Sequence, residues 1–203
     1  MQRLETRRRS MNIIPVTNNL YRVTDVFPQE IIDFCKTANW DFYDWEFQLK
    51  QEELPRKLLK LQSCPELLPL KNISITLAKE LEEKLNWNFE HIDRIIVSLW
   101  RDIHGYKSPI HRDFDPDEVA QKGYFNIPIS MQVYLSESNN DLGTKFYYDR
   151  EKTQIKYFFP YEINTGYLQI NDHDQWHEMM GNIGKDENRI SCHFIFPQIK
   201  NNS

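Results

Sequence analysis

Polar and apolar residues alternate in two different rhythms along this chain. In the first 94 residues the clearest period is helical. Ile31, Ile32 and Cys35 recur on one helical face after Pro28, whose fixed φ suits a first helical turn, and the pattern runs to about Ala38. Leu77, Leu81 and Leu85 repeat every four residues behind Ser74, a residue type that caps helix starts, and that run ends by Asn86. Residues 11–27 alternate loosely through Ile13, Ile14, Val16, Leu20, Tyr21, Val23 and Val26, which predicts one or two short strands. The stretch 39–70 is rich in Trp, Leu and Pro with charges between. It reads as loops around one short helix near Arg56 to Gln62, a candidate lid on the substrate side.

From residue 95 the rhythm changes. All six glycines (105, 123, 143, 166, 181 and 184) lie after residue 104. Runs rich in Val, Ile, Tyr and Phe at 95–100, 127–135, 144–148, 154–159, 166–170 and 189–196 alternate with turn formers such as Ser138-Asn139-Asn140-Asp141. In 129–135, Ile129, Met131, Val133 and Leu135 share one face while Ser130, Gln132 and Tyr134 share the other. Several short strands at near-regular spacing predict an all-β sandwich or jelly roll, with helices of the first half covering one sheet. At 203 residues, with no repeat or linker, one domain is expected. Within it, 1–10 is a tail (Met11 is itself a candidate start), 11–94 a helical support region and 95–196 the β core.

Composition narrows the classes. The net charge is −5. Arg3, Arg7, Arg8 and Arg9 against Glu5 make the first ten residues +3, which leaves −8 for everything after Ser10. An acidic body argues against a protein that tracks a phosphate backbone. No apolar run reaches the length of a membrane span, and the first ten residues lack the apolar stretch of a secretory signal. Cys35, Cys64 and Cys192 are odd in number and form no CxxC pair, so a reducing, cytoplasmic setting is expected rather than a disulfide framework.

Candidate chemistry gathers around residues 95–114, where a β-branched run turns through Gly105 and Pro109 and delivers His111 and Asp113 two residues apart. In extended chain such residues point to the same side, so imidazole and carboxylate can face one pocket. One His and one carboxylate are two-thirds of the facial triad that holds non-haem Fe(II). His91-Ile92-Asp93 has the same spacing but no framing Gly or Pro, and reads as a polar connector. His173 and His177 have the i, i+4 spacing of a zinc-protease helix, yet Asp174 stands where Glu belongs and loop formers surround them. Asp113-Phe114-Asp115-Pro116-Asp117 starts like a calcium loop but has Glu118 and Tyr124 where Gly and Glu are required. Asp115, Asp117 and Glu118 read instead as an acidic lip.

His177 follows the strand 166–170 and a polar loop, and twelve residues later come Arg189 and Ser191 at the head of the last strand. With His111 and Asp113, this order resembles the Fe(II)- and 2-oxoglutarate-dependent dioxygenases, whose signature is HxD, a distal His and then Arg-x-Ser. Leu142-Gly143-Thr144 resembles the Gly-containing strand between the two ligand regions, Trp176-His177-Glu178-Met179 resembles the segment around the distal His, and the likeness covers residues 95–196. The resemblance implies a double-stranded β-helix core, jelly-roll or cupin-like, flanked by helices. It also implies Fe(II) on His111, Asp113 and His177, with 2-oxoglutarate as co-substrate and O₂ at the remaining position. Arg189 would fork onto the far carboxylate of 2-oxoglutarate, as Lys cannot, and Ser191 on the same face would donate to it. Gln132 and Tyr134 are further candidates for co-substrate contact. Trp100 stands where relatives often place Tyr or Asn, and His193 reads as a core histidine. The expected reaction is oxidation, most simply hydroxylation, of a C–H bond in an amino acid, peptide side chain or small metabolite, with release of succinate and CO2. A non-catalytic jelly roll that binds metal or ligand is the alternative from another class. The intact Arg-x-Ser speaks against it, because a structural metal has no need of a carboxylate fork.

Overall fold

The computed structural model describes residues 10–47, 55–113, 129–171 and 174–197. The predicted tail apart from Ser10, the acidic stretch at Asp115, Asp117 and Glu118, and His173 lie outside the described residues. Strands are β1 (Asn12–Thr17), β2 (Leu20–Thr24), β3 (Trp45–Phe47), β4 (Arg56–Leu59), β5 (Ile96–Asp102) and β6 (Ile129–Tyr134). They continue with β7 (Asn139–Tyr147), β8 (Ile155–Tyr161), β9 (Thr165–Ile170), β10 (Trp176–Met180) and β11 (Arg189–Phe196). Two helices, α1 (Gln29–Thr37) and α2 (Leu70–Leu85), complete the regular structure with several 3-10 turns.

The strands form an eight-stranded antiparallel sheet in the order β1-β2-β9-β6-β11-β5-β4-β3, and a three-stranded sheet in the order β10-β7-β8. Strict alternation on the large sheet explains the layering. Met131, Val133, Leu168, Cys192, Phe194 and Phe196 turn one way and form a single core with Ile31, Ile32, Leu77, Ala78 and Leu81 of the helices. Fully burying a Leu or Phe side chain stabilises the fold by about 1.5–3 kcal/mol, so this face fastens the helices. The opposite face carries Ser130, Gln132, Gln169, Ser191 and His193 and meets the small sheet, where Phe146 and Phe159 pack on Leu20 and Tyr167. A polar inner face between two sheets is an unusual expense in a core, and it marks where the chemistry sits. β6 and β9 approach closely at Gly166, where an added Cβ would lie 1.8 Å from the carbonyl oxygen of Gln132.

The structure departs from expectation in the first half. Residues 11–94, expected as helical support with one or two strands at 11–27, carry β1 and β2 there as expected, but also add β3 and β4 to the large sheet besides the two helices. The predicted short helix near Arg56 to Gln62 is strand β4 followed by a 3-10 turn at Leu61–Ser63, since β5 offers Arg56–Leu58 a partner that a local helix lacks. β3 and β4 therefore make an edge hairpin of the sheet; of the proposed lid, residues 48–54 lie outside the described residues. Ser74 is not a cap. α2 begins four residues earlier behind Pro69, and the buried Ser74 hydroxyl donates to the Lys71 carbonyl at 2.7 Å. The helix ends as expected at Asn86, in the left-handed conformation at φ 54°.

Candidate active site

His111 and His177 are joined by the backbone. His111 N donates to His177 O at 2.9 Å and His177 N to His111 O at 2.8 Å, an antiparallel bridge that sets the two rings 4.4 Å apart. His177 lies in β10, paired with Phe146 of β7, whose ring stacks on the imidazole at 4.8 Å. That strand excludes the zinc-protease helix, and it begins at Trp176, within the end of the polar loop expected before His177. Nδ1 of His111 faces the carbonyl of Pro109 at 2.8 Å, and Nδ1 of His177 the carbonyl of Gln175 at 3.1 Å. Carbonyls accept only, so each Nδ1 carries a proton, which leaves Nε2 as the ring atom that could take a metal.

Both Nε2 atoms turn to the same oxygen. Oδ1 of Asp113 is 3.3 Å from His177 Nε2 and 3.7 Å from His111 Nε2. The other oxygen, Oδ2, accepts from Gln169 Nε2 at 2.6 Å and Ser130 Oγ at 2.9 Å, with His193 Nε2 at 3.8 Å. Gln169 also donates to Ser130 at 2.9 Å, so the two hold each other and the carboxylate in place. Burial alone would push the Asp113 carboxyl up, but the imidazoles of His177 and His193 outweigh it and hold it well below the usual carboxylate range. Burial and the neighbouring His177 push His111 down, which keeps it neutral and able to ligate. Ligand atoms of His111, Asp113 and His177 lie within 4.8 Å of one another, a metal-competent cluster among the described residues. Two imidazole nitrogens and one carboxylate oxygen on one side are donors fit for a divalent first-row metal with positions left open.

A cavity of about 170 Å³ opens onto these three groups. Its wall is completed by Arg56, Trp100, Tyr106, Ser108, Gln132, Thr144, Tyr167, Met179, Arg189 and His193. At about 30 Å³ per water-sized group, it has room for one small organic acid. Arg189 is almost wholly buried. Its Nη2 donates to Thr144 Oγ1 at 3.3 Å, its guanidinium lies 5.3 Å over the Tyr134 ring and 5.4 Å over Tyr161, and its buried Nε has no hydrogen-bond partner among the described residues. Burial works against the Arg189 charge, yet Tyr134 and Asp102 outweigh it and push its pKa up, so the cation persists. A buried guanidinium N–H without a partner is what an incoming carboxylate would satisfy.

The other sequence candidates divide. Gln132 is on the wall, where Nε2 donates to Ser191 Oγ at 2.9 Å and Oε1 accepts from the Tyr167 hydroxyl at 2.6 Å. Ser191 is fully buried behind Gln132. Tyr134 is equally buried, bonded to Thr144 Oγ1 at 2.8 Å, and supports Arg189 from below. His193, read as a core histidine, faces the cavity instead, because β11 carries it on the same side as Arg189 and Ser191. His91 caps a 3-10 turn at Ile92–Arg94, away from these groups. Missed altogether were Arg56, Tyr106, Thr144 and the supports Ser130 and Gln169. The signal for Ser130 and Gln169 was present: a polar residue in every inward register of β6 and β9.

No protein-family model matches this sequence, and no curated protein is significantly similar to it. Solved structures are similar in fold. A Pseudomonas putida prolyl-4-hydroxylase superposes with a TM-score of 0.59 at 12% identity, over 90% of this chain and 94% of that one. HygX from Streptomyces hygroscopicus, with nickel, 2-oxoglutarate and hygromycin B bound, gives 0.59 at 13%, over 89% and 83%. A Trichoplax adhaerens prolyl hydroxylase in complex with a hypoxia inducible factor peptide fragment gives 0.57 at 10%, over 90% and 84%. The fold is the double-stranded β-helix. In this β-helix the small sheet contributes His177 and Thr144, and the large sheet contributes Arg189, Gln132 and the supports of Asp113.

Proposed function

We propose that this protein is an Fe(II)- and 2-oxoglutarate-dependent dioxygenase. The observation that carries the reading is the convergence of His111 Nε2, His177 Nε2 and Asp113 Oδ1, while the second atom of each group is already engaged by a carbonyl or an amide. These three hold iron; Arg189 takes the far carboxylate of 2-oxoglutarate, with Gln132 beside it and Tyr134 beneath the guanidinium. Ser191 acts through Gln132 rather than by contact. When bound, iron and 2-oxoglutarate supply an O2-dependent oxidation coupled to release of succinate and CO2. The chain's own part is to fix the donors, anchor the acid and exclude water behind Tyr167, Met179 and Trp100. The substrate is an amino acid, a peptide side chain or a small metabolite hydroxylated at a C–H bond. The structural neighbours, two of them prolyl hydroxylases and one carrying hygromycin B, make both peptide and small-molecule substrates reasonable and add no support for nucleic acid.

Anaerobic addition of Fe(II) and then 2-oxoglutarate tests this directly. A weak visible charge-transfer band is expected, lost in His177→Ala and in Arg189→Ala. The arginine variant forgoes hydrogen bonds to a charged group worth about 1.5–3 kcal/mol, so its affinity for 2-oxoglutarate falls by roughly one to two orders of magnitude. Metal binding without any such band would favour the non-catalytic jelly roll.

A further inference from the structure

Three neighbouring strands set Arg56 of β4, Asp102 of β5 and Arg189 of β11 in one cross-strand row, with Asp102 in register with both arginines. Side chains opposite one another on antiparallel strands share a face, so the row forms from backbone pairing alone. Oδ1 of Asp102 pairs with Arg56 Nε at 3.0 Å, and Oδ2 faces Arg189 Nη1 at 3.7 Å. Asp102 is fully buried and lies behind the cavity wall, whereas both guanidiniums are part of it.

Among the described residues this row sets two cations against one anion, in surroundings where uncompensated charge is costly. Asp113 does not supply a second anion, since its oxygens are committed to the histidines, Ser130 and Gln169. Arg56 is also held in advance. Its guanidinium lies 4.7 Å from the Trp100 ring and 5.0 Å from the Tyr106 ring, and Nη1 donates to the Tyr106 hydroxyl at 2.7 Å. Among the described residues its buried Nε makes no hydrogen bond besides the ion pair with Asp102. Its side chain is 23% exposed against 3% for Arg189, which places it nearer the opening.

We propose that Arg56 is a second anchor for the far carboxylate of the co-substrate, so that a bound dicarboxylate closes an ion square with Arg56, Asp102 and Arg189. This rests on the reading of the site as a 2-oxoglutarate oxygenase. Arg56 is thereby a binding residue, and Asp102 a positioning residue that spaces the two guanidiniums.

The test is calorimetric, on the full chain loaded with Ni(II), using two probes: 2-oxoglutarate, and 2-oxobutanoate, which keeps the metal-chelating end but lacks the far carboxylate. Arg56→Gln is expected to weaken 2-oxoglutarate about ten- to hundredfold, the range for hydrogen bonds to a charged group, and to leave 2-oxobutanoate unchanged. Ni(II) stoichiometry reports folding. If the glutamine variant loses Ni(II), Arg56→Lys decides, because it keeps the charge facing Asp102 but cannot fork; it should weaken 2-oxoglutarate several-fold and spare 2-oxobutanoate. Equal loss for both probes, or no loss for either, overturns the second anchor while leaving the oxygenase reading intact. A wild-type protein that takes Ni(II) but no 2-oxoglutarate overturns both.

Discussion

The carboxylate of Asp113 divides its labour between two oxygens, and a single amide enforces the division. Gln169 donates to Oδ2 at 2.6 Å and to Ser130 at 2.9 Å, leaving Oδ1 turned toward both histidines. Partners of this kind orient a ligating group and typically contribute 10–100-fold in metal affinity. Gln169→Leu is therefore expected to weaken Ni(II) binding by about that factor while thermal unfolding shows a folded protein; an unchanged Ni(II) isotherm would show that Asp113 needs no such support. At this scale part of the site was readable. His111, Asp113, His177 and Arg189 stand out because few residue types can ligate a metal or fork to a carboxylate, and their spacing fits strands. Arg56 could not be found that way. It sits after Pro55 in a charged stretch without alternation, and only pairing with β5 brings it to the cavity.

Elements carry their own consequences. The β7–β8 hairpin turns at Asp149, whose carboxylate accepts Thr153 Oγ1 at 2.6 Å, Thr153 N at 3.0 Å and Gln154 N at 3.3 Å. These bonds favour the charged form, the Thr153 hydroxyl first, and lower the Asp149 pKa. A depressed acid pKa means that the stabilisation is fully present above the unfolded value of about 3.9 and is lost as pH falls through the lower folded value. Following the Thr153 amide resonance against pH should give a midpoint below that of a free aspartate; a midpoint at or above it would refute the turn's charge dependence. In β9, Gly166→Ala must push a methyl into the Gln132 carbonyl. Overpacking of this kind costs about 1–3 kcal/mol or more, so a clear fall in Tm is expected, together with weaker 2-oxoglutarate binding because Gln132 moves.

The whole molecule is three layers: helices, large sheet, small sheet. The two-layer idea of helices over a jelly roll was legible from the apolar positions of 129–135 and 189–196, since alternation assigns each residue to one face. Of the flanking strands, β1 and β2 were legible in the alternation of 11–27, but β3 and β4 were not, because they belong to an edge of the sheet and draw their order from a partner distant in sequence. Cys35, Cys64 and Cys192 lie in the helix-facing core and are all free. Burial pushes Cys35 up to about 12, Cys64 up to about 11 and Cys192 well above the usual range. Without thiolate there is little nucleophile, so iodoacetamide at neutral pH should modify none of them in the native protein and all three in guanidinium. Rapid native labelling of any one would place it outside this core.

The position of β11 has a consequence in time. It is the last of the described strands, yet it lies in the middle of the large sheet, between β6 and β5. Until it inserts, the two strand edges that it covers stand unpaired, and such edges are templates for other chains. Asp102 meanwhile lacks one of its two arginines. Nascent protein thus stays vulnerable until β11 has been made, and folding through such distant pairings is slow, of the order of milliseconds to seconds. Chains halted before Arg189 should aggregate, whereas chains that include β11, refolded dilute, should not.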